Sequence, residues 1–172
     1  MNITNIMAEL PRHRAAHYKP RDLSRVDTIV VHHSAAQHDE PEDGWDAVVH
    51  NIADYHVKHN GWPGIGYHYV IDPDGGVWKT NALSTLSYHA RGGNAGGIGV
   101  MLLGHFDHSD PTVEQMASLK ELVREVHGNM PQVKRVIGHR DVPGARTACP
   151  GANLTATMLD ALAQLVSIKG KA

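Results

Sequence analysis

The sequence predicts an α/β protein, a mixed central β-sheet flanked by about three α-helices. Short apolar, β-branched runs recur at 27–34, 65–80, 98–104 and 132–139, and amphipathic stretches fall between and after them. Clusters of glycine, proline, asparagine and aspartate separate the two kinds of segment. Strands interleaved with helices call for a layered sheet rather than a helical bundle or a sandwich.

The elements follow in order. Residues 1–25 are expected to form a basic N-terminal arm with little regular structure, because Arg12, Arg14, Lys19, Arg21 and Arg25 fall there without clean periodicity. One domain then occupies 26–172. "DTIVVHHS" (27–34) reads as a buried central strand. Over 41–64, Trp45, Val48, Val49, Ile52 and Tyr55 stand at helical spacing, and Asn60-Gly61 with Pro63 ends the helix. "IGYHYVIDPDGGVWKT" (65–80) is a hairpin turning at Asp72–Gly76, and 81–97 is a long glycine-rich loop. A loop of that length in a compact domain is more often functional than idle. "IGVMLLG" (98–104) is a second buried strand. Thr112 and Gln115 stand at capping-box spacing before a helix over 110–128 with apolar residues at 113, 116, 119, 122, 123 and 126. "QVKRVIGH" (132–139) is a strand and 153–169 a final amphipathic helix.

Composition narrows the class. A chain of 172 residues, 41% hydrophobic and 20% charged, supports one globular domain with a sizeable core. Its formal charge of −2 gives no overall attraction to nucleic acid or anionic lipid. No apolar run approaches the ~20 residues of a membrane span. The N-terminus lacks the basic and apolar regions of a secretory signal, so a cytoplasmic location is expected until something releases the protein. The single cysteine excludes an internal disulfide, and a monomer is expected. Histidine is the unusual count, 14 against one phenylalanine. His13, His17, His38, His105, His108 and His127 stand in polar or helical surroundings and are expected at the solvated surface.

Potential metal ligands fall at strand ends: His32 or His33 where the first strand runs out, and His139 and Cys149 around the last. Open α/β sheets gather sites at strand ends, so these residues can converge. Neighbouring strand residues face opposite ways, so only one of His32 and His33 can join, and with both faces of the strand apolar, alternation does not choose. Two imidazoles and a thiolate suit zinc, with the fourth position left to a water whose pKa falls to about 7. That is chemistry for amide hydrolysis. The competing readings of Cys149 are a small buried hydrophobe and a nucleophile with His139 as base and Asp141 as orienter.

"IVVHHSA", "HNGWPGIGYHYVIDPDGGVWK", "SYHARGGNAGGIGVMLLG" and "VIGHRDVPGARTACPG" stand in the order and approximate spacing of the N-acetylmuramoyl-L-alanine amidase type 2 family. The chain resembles that family over roughly 27–165. The family embraces peptidoglycan recognition proteins, phage lysozymes of the amidase type and cytosolic muropeptide-recycling amidases. The resemblance implies their fold, a zinc cofactor, and cleavage of the amide between the lactyl group of N-acetylmuramic acid and L-alanine in bacterial peptidoglycan. It selects His32 with His139 and Cys149 as zinc ligands. It places Tyr67 beside the reacting water, and Thr147 where relatives carry a lysine or threonine. His89, Arg91 and Arg146 are expected to meet substrate. Recycling enzymes carry a glutamate near the metal on the strand corresponding to 98–104, and the matching position is assigned to Val100. That loss, and a cysteine as third ligand, favour a wall-lytic enzyme, an endolysin of phage or prophage origin. The alternatives are a recycling amidase, a non-catalytic wall-binding module and the cysteine hydrolase. The basic arm is expected to hold the enzyme on an anionic wall.

Overall fold

The computed structural model describes residues 1–167. Six strands form one mixed sheet: β1 (Ile3–Asn5), β2 (Thr28–His33), β3 (Tyr69–Ile71), β4 (Val77–Lys79), β5 (Gly97–Leu102) and β6 (Arg135–Gly138), in the order β1-β4-β3-β5-β2-β6. Three helices join them, α1 (Trp45–Lys58), α2 (Val113–Asn129) and α3 (Ala156–Ser167). The expected α/β class and mixed sheet are both present: β3 and β4 pair antiparallel across the hairpin, and the remaining pairs are parallel. Residues 168 and 169 of the expected final helix lie outside the described residues.

Alternation along the central strands sorts the core into two layers. Ile29 and Val31 of β2 and Ile98, Val100 and Leu102 of β5 pack against Leu119, Leu122 and Val126 of α2 and Leu159 and Leu162 of α3. Val70 and Met101 face the other way, against Val49 and Ala53 of α1. β2 is buried along its whole length, which is why its sequence shows no polar face. Local chemistry fixes the element ends. The Thr112 hydroxyl accepts the Gln115 N–H while the Gln115 side chain accepts the Thr112 N–H, closing the expected capping box. In the hairpin turn one Asp72 oxygen accepts the Asp74 and Gly76 amides, and the other accepts the Trp78 indole N–H. Val113, expected on the buried face of α2, is instead 81% exposed, and in the same turn it is Gln115 that is buried, its side chain donating to Ile71 O and Leu103 O. Among the described residues no helix is long and apolar enough to cross a membrane.

The N-terminal segment departs from expectation. Ile3–Asn5 extends the sheet as β1, parallel to β4, and Ile6 and Leu10 are buried against α1. The Arg12 guanidinium donates to Asn81 Oδ1 and Thr80 O. Arg21 donates to Leu83 O, Asn94 O and Gly97 O. The basic residues that gave the segment the look of a solvated arm are in part its anchors to the fold.

Candidate metal centre and groove

The site lies where β2 ends. His32 projects from β2 on the α1 side of the sheet, fully buried, while His33 turns to the other side beside Phe106. The strand alternation that left the choice open in the sequence is resolved by which layer each ring enters. His139 opens a 3-10 turn, His139–Asp141, directly after β6, the neighbour of β2. Its ring centroid lies 4.7 Å from that of His32. Cys149 arrives from the loop before α3, held opposite His139 by the Arg140 N–H, which donates to Cys149 O at 2.8 Å. The Arg140 side chain ties down the same loop by donating to Gly151 O and Leu154 O.

The ligand atoms of His32, His139 and Cys149 all lie within 4.8 Å of one another. Zinc bonds of about 2.0–2.1 Å to nitrogen and 2.3 Å to sulfur put tetrahedral ligand atoms about 3.3–3.6 Å apart. The Cys149 Sγ to His32 Nδ1 separation is 3.6 Å, so this pair stands at tetrahedral spacing, and the donor set suits zinc in composition. Burial drives His32 well below the usual imidazole range and pushes His139 down as well, so both rings offer lone pairs rather than charge at neutral pH.

The nucleophile reading of Cys149 lacks its orienter. Burial raises the metal-free thiol to about 11, so the thiolate needed for attack or for ligation depends on a positive charge beside it. Asp141, its expected orienter, accepts the Gly138 N–H at 3.0 Å instead.

Tyr67 lies just before β3, its ring 5.1 Å from His32 in an edge contact. Burial, with the neighbouring Cys149 adding to it, raises the phenol, so Tyr67 stays a hydrogen-bond donor. Beside it opens a cavity of about 400 Å³, lined by Ser34, Asn51, Ile52, His56 and Met101 among others. Thr147 is exposed, and its Oγ1 accepts the Cys149 N–H at 3.1 Å, which leaves its own proton free to donate. Arg91 and Arg146 are exposed on their loops.

Two expectations are corrected. His89 does not line the groove: its ring is buried behind His32, with Nδ1 3.1 Å from His32 Nε2 and Nε2 3.1 Å from Gly97 O. Val100 belongs to the layer packed on α2 and α3, away from the site. The residue of β5 paired with His32, and lining the cavity, is Met101. Neither position carries a carboxylate.

One groove residue escaped the sequence reading. His56 lies on the buried face of α1, its ring 5.9 Å from Tyr67, and burial lowers it to about 4. Its Nδ1 accepts the Gly66 N–H, so Nε2 carries the proton. The available signal was its spacing from Val49, Ile52 and Ala53 on the apolar face of the helix.

A family model described as N-acetylmuramoyl-L-alanine amidase matches residues 22–152. Peptidoglycan-recognition protein SC2 of Drosophila simulans is 29% identical over 143 residues, 82% of this chain and 77% of the relative. The endolysin of Enterobacteria phage K11 is 32% identical over 114 residues, 63% of this chain and 73% of the endolysin. Among solved structures, N-acetylmuramoyl-L-alanine amidase LysC from Clostridium intestinale URNW aligns with a TM-score of 0.73 at 26% identity, over 98% of this chain and 99% of that one.

Proposed function

Because the chain belongs to the N-acetylmuramoyl-L-alanine amidase family, we propose that it is a zinc-dependent amidase that cleaves the lactyl–L-alanine amide of bacterial peptidoglycan, acting as an endolysin. The observation that carries this reading is the convergence of His32, His139 and Cys149 beside Tyr67, a residue that also lines the neighbouring cavity. Zinc held by three protein ligands supplies a Lewis acid for the amide carbonyl and activates a water near neutral pH.

The chain's own groups do the rest. The Tyr67 phenol and the Thr147 hydroxyl donate to the carbonyl oxygen as it gains negative charge, and a donor aimed at that charge is worth about 10²–10³ in rate. The His56 Nε2–H and the walls contributed by α1 hold the substrate in the cavity. Arg91 and Arg146 meet carboxylates of the stem peptide from the rim. The Arg12 and Arg21 guanidinium groups are committed to hydrogen bonds within the chain, so wall attraction by the N-terminal segment falls mainly to Arg14, Lys19 and Arg25.

The test is lysis of purified sacculi, with zinc measured in the same preparation and the new amino termini identified. Metal-dependent release of peptides beginning with L-alanine is the expected result. Binding to sacculi without release supports the recognition-module alternative, and turnover of soluble muropeptides alone supports the recycling one.

A further inference from the structure

We propose that His89 is a positioning residue that fixes the tautomer of His32, and that Arg21 of the N-terminal segment holds the carbonyl on which His89 depends. The inference rests on the reading of His32, His139 and Cys149 as metal ligands.

His32 Nδ1 faces Cys149 Sγ at 3.6 Å, and its Nε2 lies 3.1 Å from His89 Nδ1. On its far side, His89 Nε2 lies 3.1 Å from Gly97 O. A carbonyl oxygen only accepts, so His89 Nε2 carries the proton and donates it. His89 is buried, has no carboxylate among its hydrogen-bond partners and shares Gly97 O with the Arg21 guanidinium, so it holds the one proton on Nε2 and its Nδ1 is a bare lone pair that accepts from His32 Nε2–H. A neutral imidazole has one N–H, and with that proton on Nε2 the His32 lone pair resides on Nδ1, the atom turned toward Cys149 and His139. The opposite tautomer would set two lone pairs against each other between the rings and aim an N–H at the metal position. Ligating histidines ordinarily give their second nitrogen to a carboxylate, carbonyl or water. Here a second imidazole takes that place and passes the constraint on to the backbone.

The relay is anchored on two sides. Gly97 O also accepts from Arg21 Nη1, and the same guanidinium donates to Leu83 O at 2.7 Å and Asn94 O at 2.9 Å. It thereby closes both ends of the loop that carries His89. Beneath the ring, β5 presents bare backbone: a Cβ on Gly99 would lie 2.5 Å from His89 Cγ, and one on Gly97 2.9 Å from its Cε1. Glycine at these two positions is what admits an imidazole between the loop and the strand.

Two-bond 1H–15N spectra of the metal-free wild-type protein should show His32 as the Nε2–H tautomer. His89→Leu removes the acceptor and should lower zinc affinity, measured by competition with a chromogenic chelator, about 10- to 100-fold. His89→Asn, whose Oδ1 replaces the lost Nδ1, should recover most of that loss, and Arg21→Met should weaken zinc by a smaller factor than His89→Leu. The Nδ1–H tautomer in the wild-type protein, or unchanged zinc affinity in a folded His89→Leu, overturns the inference. Zinc affinity that follows the variants in this order in a protein that cleaves no peptidoglycan sustains it and refutes the amidase reading instead.

Discussion

At the end of β2 the two faces of the sheet each gather three groups able to ligate a metal. On the α1 side stand His32, His139 and Cys149, and on the other side His33, His105 and Asp107, with ligand atoms equally within 4.8 Å of one another. Their lone pairs are disposed differently. His33 Nδ1 already accepts the Phe106 N–H at 3.2 Å, which leaves Nε2 protonated, and one Asp107 oxygen accepts the Ala152 N–H at 2.9 Å. His105, expected at the surface, is half-buried, with an Nδ1 that has no hydrogen-bond partner among the described residues. On the α1 side the one His32 nitrogen already engaged is Nε2, and Nδ1 remains open toward the cysteine. Proximity of ligand types is therefore a weak criterion. What separates the two clusters is which lone pairs the backbone has already taken.

Several substitutions break or sharpen this contrast. His32→Ala, His139→Ala or Cys149→Ala should abolish zinc binding and sacculus lysis together, and metal analysis of the wild-type protein should return about one zinc per chain. A second zinc of equal affinity would erase the distinction between the faces. Tyr67→Phe should retain the zinc and slow turnover ~10²-fold, and unchanged kinetics would remove the phenol from the mechanism.

Acid should act most strongly through His56 and His68, which are buried and uncharged. Their folded values lie below the unfolded 6.5, so below that pH the unfolded chain binds protons that the folded chain refuses. Stability should then fall by up to about 1.4 kcal/mol per pH unit for each histidine. For His56 the loss continues down to about 4. Urea midpoints at pH 7.5 and 5 measure it, and equal midpoints would contradict the burial. His33→Ala should keep lysis near the wild-type rate and cost about 1–3 kcal/mol through the unpaired Phe106 amide. Smallest of all, Thr112→Ala should cost about 1 kcal/mol by opening the α2 capping box, with no change in zinc content.

Much of the architecture was legible because its causes are local. The α2 capping box, the Asp72 turn and the apolar run of β2 each express short-range chemistry, and each appears where the sequence places it. β1 was not legible: "ITN" has too few residues for a period, and it becomes a strand only by parallel pairing with β4, more than seventy positions away. Arg12 and Arg21 misled for the same reason, since a guanidinium that donates to distant carbonyls reads in sequence like one that faces water.

The sequence by itself determined the element types, the helix cap, the hairpin turn and the pool of ligand-type residues, because spacing and side-chain chemistry act within a few residues. Only the tertiary structure showed which layers His32 and His33 enter, moved His89 from the groove to the back of His32, turned Val100 away from the site and added His56 to the groove. Those outcomes depend on which layer a side chain enters and which backbone groups meet it there, and such contacts join residues that no local pattern connects.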